Sequence, residues 1–455
     1  MIDVLTPAEM RAVDEAADVD VEILIERAGA AVADAAIDML DGVYGRTVVV
    51  IAGPGNNGAD GRVAAALLER AGMRVIVHDA RSCPARIEAC DLVIDAAYGT
   101  GMRDVWAPPD VGEAAVLAVD IVSGIDALTG AAAGPFLPAT RTVTFAAATP
   151  GHVLGTGRWA TGELDVVDIG LDVSRSSIGI VERADALAWF DPRPASAHKW
   201  SQAVRVVAGS AGMTGAAVLT ASAAMRAGAG IVHLSCPGID APGPLEAVDR
   251  RLAPFDWFSA VLEDLHRFHS LVIGPGLGRE DYTAPSITEV VAAATIPVVV
   301  DGDGLFALAW NPQGAPTAVR GRTRPTVLTP HDGEYALLTG SAPGPDRVDA
   351  ARRLAYDTGA VVLLKGVTTI IADPTGDVAL VADADERLAT AGSGDVLAGI
   401  IGAFLASGMS GFRAAALGAW VHGAAARACW PVGTIASDLV EVLPEVLSEI
   451  WREQR

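Results

Sequence analysis

The sequence predicts an α/β protein in two domains, and three observations predict it. Short β-branched runs such as Thr47–Ala52 and Pro297–Val300 alternate with Ala- and Leu-rich stretches along the chain, the pattern of strands buried in a mainly parallel sheet. Glycine-rich loops follow those runs at once, as in Gly53-Pro54-Gly55 and Gly274-Pro275-Gly276. The chain has 455 residues, too many for one ordinary core, and length alone points to roughly two to three domains.

Residues 6 to 40 read as helices, opened by the capping box Thr6-Pro7-Ala8-Glu9 with proline in the first turn. Strands are expected at Thr47–Ala52, Arg74–His78, Asp91–Asp95, Ala115–Asp120, Thr140–Phe145 and Leu164–Ile169, with a helix starting near Arg62. Pro192 and Pro194, with Ala195 and Ser196, mark a boundary that gives domains 1–190 and 191–455. A second series follows at Val204–Ala208, Leu271–Ile273, Pro297–Val300, Thr326–Leu328 and Val361–Leu364. No internal repeat relates the halves. Active residues are expected at the carboxyl ends of the strands.

Composition excludes several classes. A formal net charge of −23 argues against a nucleic-acid partner, yet helix N-termini can still hold a small anion. The four cysteines, Cys83, Cys90, Cys236 and Cys429, form no CxxC pair and lie near no histidine cluster. They read as reduced structural thiols of a cytoplasmic protein. No signal peptide and no membrane span is expected. Apolar helices in the Ala-rich C-terminal region would support a homo-oligomer.

The chemistry-bearing residues cluster at strand ends. In the first half Gly53, Gly55 and Gly58 fit GxGxxG, and Asp79 stands where a dinucleotide fold places its ribose-binding acid. Asn56, Asn57 and Asp60 fill the same loop, and the next strand ends give Asp95, Asp120 and Ser123. Oxygens of Asn57, Asp95 and Ser123 suit a hard cation. In the second half Ala391-Gly392-Ser393-Gly394-Asp395 opens an apolar helix from Val396 to Leu405. Its free N–H groups make an anion hole, and Asp395 can take a proton from an attacking hydroxyl. Further strand ends give Gly274–Gly278, Asp301–Gly304, His331 beside Glu334, and Lys365–Thr369.

These segments resemble a known family. Gly53–Gly61 resembles the GxGNNGGDG signature of NAD(P)H-hydrate epimerases, Asp95–Gly101 their D-x-x-x-GTG segment and Val119–Gly124 their VDIPSG. The resemblance implies a potassium site from Asn57, Asp95 and Ser123. It also implies hydrate binding by Asn56, Asn57, Gly58, Ala59 and Asp60, by Gly99, Thr100, Gly101, Met102, Arg103, Asp104 and Val105, and by Asp120, the candidate acid/base. Ala59 replaces a glycine and would crowd the loop if that position needed positive φ. Val122 replaces a proline, and no lysine precedes Pro150.

The second half resembles the ribokinase-like NAD(P)H-hydrate dehydratases in Gly209-Ser210, Thr214–Ala217, Gly274–Gly278, His331–Glu334, Lys365-Gly366 and Ala391–Asp395. The resemblance implies that Ala216, Gly276, His331 and Asp395 contact the hydrate. Lys365, Gly366, Val367, Thr368, Thr369 and Gly394 would contact ADP or ATP, with magnesium on the phosphates, and Asp395 would activate the hydroxyl. Asp332 stands in place of a proline. Trp200 stands in place of a glycine, in a loop expected near the pocket. The whole reads as a Rossmann-like three-layer domain followed by a ribokinase-like α/β domain, repairing hydrated NADH or NADPH. The alternative is a small-alcohol kinase of the vitamin-precursor type behind a non-catalytic nicotinamide-binding domain.

Overall fold

The computed structural model describes residues 1–101, 106–241, 243–311 and 318–455. The chain forms two compact units, Ile2–Gly179 and Ile180–Arg455 with Met1. The sequence sets its boundary at 190; the unit division falls earlier because the helix Arg183–Trp189 is tied to the C-terminal helix. Arg183 donates to Glu453 at 2.9 Å, and the Gln454 amide donates to the carbonyls of Leu187 and Phe190 at 2.6 Å.

In the first unit β1 (Ile2–Val4) forms a parallel bridge from Val4 to Ala148. The main sheet holds β2 (Thr47–Ala52), β3 (Arg74–Asp79), β4 (Leu92–Ala96), β5 (Ala115–Val119), β6 (Arg141–Phe145) and β7 (Glu163–Val167). They are parallel throughout, in the order β3-β2-β4-β5-β6-β7. The chain leaves β3 to enter β4 on the other side of β2, so the strand order reverses there. The crevice outside the carboxyl ends of β2 and β4 is therefore the natural binding place. Val32, Ala64 and Leu68, from the helices Val21–Met39 and Asn56–Arg70, pack on one face of this sheet. Non-helical chain around Ile87, Trp106 and Leu137 covers much of the other.

The helix expected near Arg62 starts at Asn56. The glycines that read as a loop are contact points. A Cβ on Gly58 would overlap the Gly53 carbonyl, and one on Gly61 would stand 2.5 Å from the Ala96 Cβ. Ala59 lies inside this helix and is absent from the positive-φ residues. Its methyl therefore brings none of the strain that a left-handed position would have imposed.

At the division between units comes β8 (Ile178–Ile180). The second unit's sheet contains β9 (Ala203–Val207), β10 (Ile231–Ser235), β11 (Val248–Asp249), β12 (Ser270–Ile273), β13 (Val298–Val300), β14 (Thr326–Leu328), β15 (Val361–Leu364), β16 (Thr369–Ala372) and β17 (Val378–Val381). The run β11-β10-β9-β12-β13-β14-β15 is parallel, and β16 and β17 add an antiparallel hairpin. The sequence reading missed β10, β11, β16 and β17. Thr369, expected in a loop, is the first residue of β16, opposite Val381. The helix Ser393–Ala406 is buried from Val396 onward and packs on the sheet, flanked by the helices Thr214–Arg226 and Gly411–Ala428, which contact the sheet themselves. Gly399 and Gly402 let it approach closely; the Ser270 hydroxyl donates to the Gly402 carbonyl at 2.6 Å.

Candidate active sites

The first site lies at the carboxyl ends of β2, β4 and β5. Asp95 stands one residue before the end of β4, with no exposure. The Ser123 hydroxyl donates to it at 2.7 Å, the Ser123 N–H at 3.1 Å and the Ala97 N–H at 3.2 Å. All these donors are neutral, and burial pushes the Asp95 carboxyl up to about 6. The Tyr98 N–H donates to the Ser123 hydroxyl at 2.9 Å. Next to Tyr98, Gly99 leaves a gap: a Cβ there would stand 2.6 Å from Asp120 Oδ2 and 3.5 Å from Asn57 Cβ. Both amide atoms of Asn57 are buried without a hydrogen-bond partner.

Asp120 follows β5. Its carboxylate accepts from the Thr100 N–H at 3.1 Å and the Thr144 hydroxyl at 3.5 Å. Burial raises its pKa, partly offset by the hydrogen bonds from the Thr100 N–H and the Thr144 hydroxyl. Asp60 is also buried; burial first, then the charge of Asp120, push it up to about 8. Asp14, on the helix Pro7–Ala16, is raised by burial and again by Asp120. Three carboxyl groups thus share one field, which favours keeping protons among them. Asp79, by contrast, accepts from the Arg81 N–H at 2.9 Å and serves its own turn.

The backbone here is unusual. Asp120 has φ 65° and Ala146, after β6, has φ 63°. Each is the centre of a three-residue turn: the Ile121 N–H donates to the Val119 carbonyl at 2.9 Å, and the Ala147 N–H to the Phe145 carbonyl at 2.7 Å. Such turns are strained for residues with a Cβ, by about 1–2 kcal/mol. Met102, Arg103, Asp104 and Val105 lie outside the described residues.

The second site lies at the carboxyl ends of β13, β14 and β15. Asp301 follows β13, is 3% exposed, and accepts from Lys365 Nζ and from the Thr329 hydroxyl, each at 2.6 Å. The sequence reading placed Asp301 at a strand end pointing to this site but gave it no role. A Cβ on Gly394 would stand 3.3 Å from Lys365 Nζ, so Lys365 faces the start of the helix Ser393–Ala406. Gly392 caps that helix with φ 90°. Burial works against the Lys365 charge, but Asp301 and Glu334 outweigh it and raise the pKa. Burial, then Asp301, push Asp395 up to about 7 against the pull of Lys365.

Ala216 and Gly276 meet beside this group. A Cβ on Gly276, which has φ 60°, would stand 2.8 Å from the Ala216 Cβ. One turn on, the Thr220 hydroxyl donates to the Asp395 carbonyl at 3.2 Å. His331 has a local task. Its Nδ1 caps the helix Asp332–Thr339, accepting from the N–H groups of Gly333 at 3.0 Å and Glu334 at 3.2 Å. Its side chain is 59% exposed and Nε2 lies 3.6 Å from Glu334. Asp332 accepts from Arg347 at 2.9 Å, and Arg347 also donates to the Lys365 carbonyl at 2.9 Å, which braces that loop. Gly366 and Val367 are exposed, and Thr368 is buried.

Trp200 does not border this site. It precedes β9, at the amino end of the sheet, and packs edge-on against His233 and Phe268 with Arg267 over its ring at 4.4 Å.

Comparison with known proteins places the chain. Residues 204–445 match the family model described as NAD(P)H-hydrate dehydratase, and residues 21–86 and 78–151 match that of the YjeF-related protein N-terminus. The chain is 39% identical over 437 residues to the bifunctional NAD(P)H-hydrate repair enzyme of Mycobacterium leprae, with 89% of each chain covered. This chain belongs to the bifunctional NAD(P)H-hydrate repair enzyme family. Its relative in Moorella thermoacetica is 35% identical, with 99% of this chain and 97% of that one covered. Among solved structures, the ADP/ATP-dependent NAD(P)H-hydrate dehydratase of Bacillus subtilis, co-crystallised with ATP and Mg²⁺, is 29% identical with a TM-score of 0.51. It covers 60% of this chain and 98% of its own. A ribokinase-like protein of Enterococcus faecalis has a TM-score of 0.52 at 20% identity and shares the fold. The second unit is ribokinase-like, and because family matches fall in both units, the small-alcohol kinase alternative is not favoured.

Proposed function

We propose that this chain repairs hydrated NADH and NADPH, the first unit exchanging the R and S hydrates and the second dehydrating the S hydrate at the expense of ADP or ATP. The observation that carries the reading is Asp395, held at the start of the helix Ser393–Ala406 beside Lys365 and Asp301. The N–H groups of Gly394 and Asp395 at that helix start receive a terminal phosphoryl group, and Lys365 and the residues through Thr369 hold the nucleotide. Asp395 takes the proton as the hydrate's hydroxyl attacks that phosphorus and the nucleotide leaves. Departure of the new phosphate together with loss of a proton from the neighbouring ring carbon then restores the nicotinamide double bond. Ala216, Gly276 and His331 form the hydrate's side of the pocket.

Magnesium would accompany the nucleotide, held mostly by phosphates and water; among the described residues no group of three His, Cys, Asp or Glu is arranged for a metal. A potassium ion fits the first site better than a divalent ion. Asp95 is one buried carboxylate with only neutral donors, Ser123 adds a hydroxyl, and the Asn57 amide is buried without a partner. One bound monovalent cation would neutralise Asp95 and orient that amide. Asp120 is the acid/base of the exchange, with Asn56–Asp60 and Gly99–Gly101 around the hydrate. No helix of the described residues is long and apolar enough to cross a membrane, and all four cysteines are free, which supports a cytoplasmic setting.

The test supplies the S-epimer of NADH hydrate with magnesium, potassium and either ADP or ATP, and follows reduced-nicotinamide absorbance. Recovery with one nucleotide is expected and names the donor; no recovery with either, from folded protein, overturns the dehydratase reading. The R-epimer, given alone without nucleotide, tests the first unit by chromatography of the two epimers.

A further inference from the structure

The paired turns at Asp120 and Ala146 need something to hold them, and one buried histidine reaches both strand ends. His152 is 1% exposed. Its Nε2 lies 2.7 Å from the Asp120 backbone carbonyl, an acceptor, so Nε2 carries the proton and donates. Its Nδ1 then accepts from the Thr149 N–H at 2.9 Å, with the Thr149 hydroxyl at 3.1 Å. Thr149 follows the Ala146 turn by three residues. Thr144 joins the two turns from the other side, its hydroxyl 3.5 Å from Asp120 Oδ1 and 3.4 Å from the Ala147 carbonyl.

Resting on the epimerase reading, we infer that His152 is a positioning residue for Asp120. The donated hydrogen bond fixes the Asp120 carbonyl, and with it the left-handed backbone that turns the carboxylate towards the Thr100 N–H and the gap at Gly99. Without that anchor the peptide can relax to an ordinary conformation and swing the carboxylate out of the pocket. Burial lowers the His152 pKa, so the ring stays neutral, as the Thr149 bond to Nδ1 requires. The Thr149 N–H, at the position before Pro150 where no lysine stands, thus fixes the tautomer of the anchoring ring.

The experiment uses the full chain and the R-epimer without nucleotide, so that only exchange is read. His152→Phe keeps a buried ring and removes the donated bond. Its kcat is expected to fall by about 100-fold, the scale of a misplaced reacting group, with KM little changed. His152→Gln, which retains an N–H able to reach the Asp120 carbonyl, is expected to restore most of the rate. Exchange that survives His152→Phe, or equal damage in both variants, overturns this inference alone. No exchange by the wild-type chain overturns the epimerase reading and this inference with it. If His152→Phe fails to fold, the Gln variant and the tautomer decide: ¹⁵N NMR of histidine-labelled wild-type chain is expected to show His152 neutral and protonated on Nε2, and protonation on Nδ1 overturns the proposal.

Discussion

Asp60 and Asp120 occupy one buried field, and that has a measurable cost. Folded, Asp60 is raised from 3.8 to about 8 by burial and by Asp120. Between those values the folded chain binds a proton that the unfolded chain does not. This contribution is therefore present in full at low pH and is lost as pH rises through the folded value. Asp60→Asn, which mimics the protonated form, should raise the melting temperature of the first unit most near pH 8, less near pH 5, and change it little only below the unfolded value of 3.8, by calorimetry. Asp120→Asn should abolish epimer exchange and leave the unit folded, because asparagine tolerates the left-handed backbone better than most residues; retained exchange would sink the acid/base assignment. In the second unit Asp395 must be unprotonated to accept the hydroxyl proton, and it sits at about 7. The nucleotide-dependent kcat/KM for the hydrate should rise with pH through roughly that value, and Asp395→Asn should remove both the activity and the rise.

At the scale of elements, close approach explains the glycines. The helix Asn56–Arg70 can begin right after β2 only because Gly58 lies against the Gly53 carbonyl and Gly61 against Ala96. Gly58→Ala should destabilise the first unit by about 1–3 kcal/mol through this overlap, seen as a lower urea midpoint. An unaltered midpoint would mean that the helix start is free to move. The sequence placed this helix late because glycine and asparagine ordinarily mark turns. Here their small size was needed for packing, and packing is invisible to local propensity. The same limit hid β16, whose partner β17 supplies the hydrogen bonds that Thr369–Ala372 cannot make alone.

For the whole molecule, the two proposed chemistries should separate by single substitutions. With an R and S mixture and nucleotide, the wild-type chain should recover all of the reduced cofactor. Asp120→Asn should stop at the S fraction, apart from slow spontaneous exchange, and Asp395→Asn should exchange epimers and recover none. Full recovery by Asp120→Asn would remove the need for the first unit. By itself the sequence determined the α/β class, the two series of strands, the strand-end positions of Asn57, Asp95, Asp120 and Lys365, and the place of Asp395 at a helix start. Those follow from local periodicity and from glycine-rich loops next to apolar runs, which are short-range signals. Only the tertiary structure decided that Asp301 pairs with Lys365, that Asp14 joins the field of Asp120, that Trp200 lies at the amino end of the sheet, and that His152 grips the Asp120 carbonyl. Each of these joins residues from different elements. Burial and long-range pairing, unlike propensity, exist only once the chain has closed on itself.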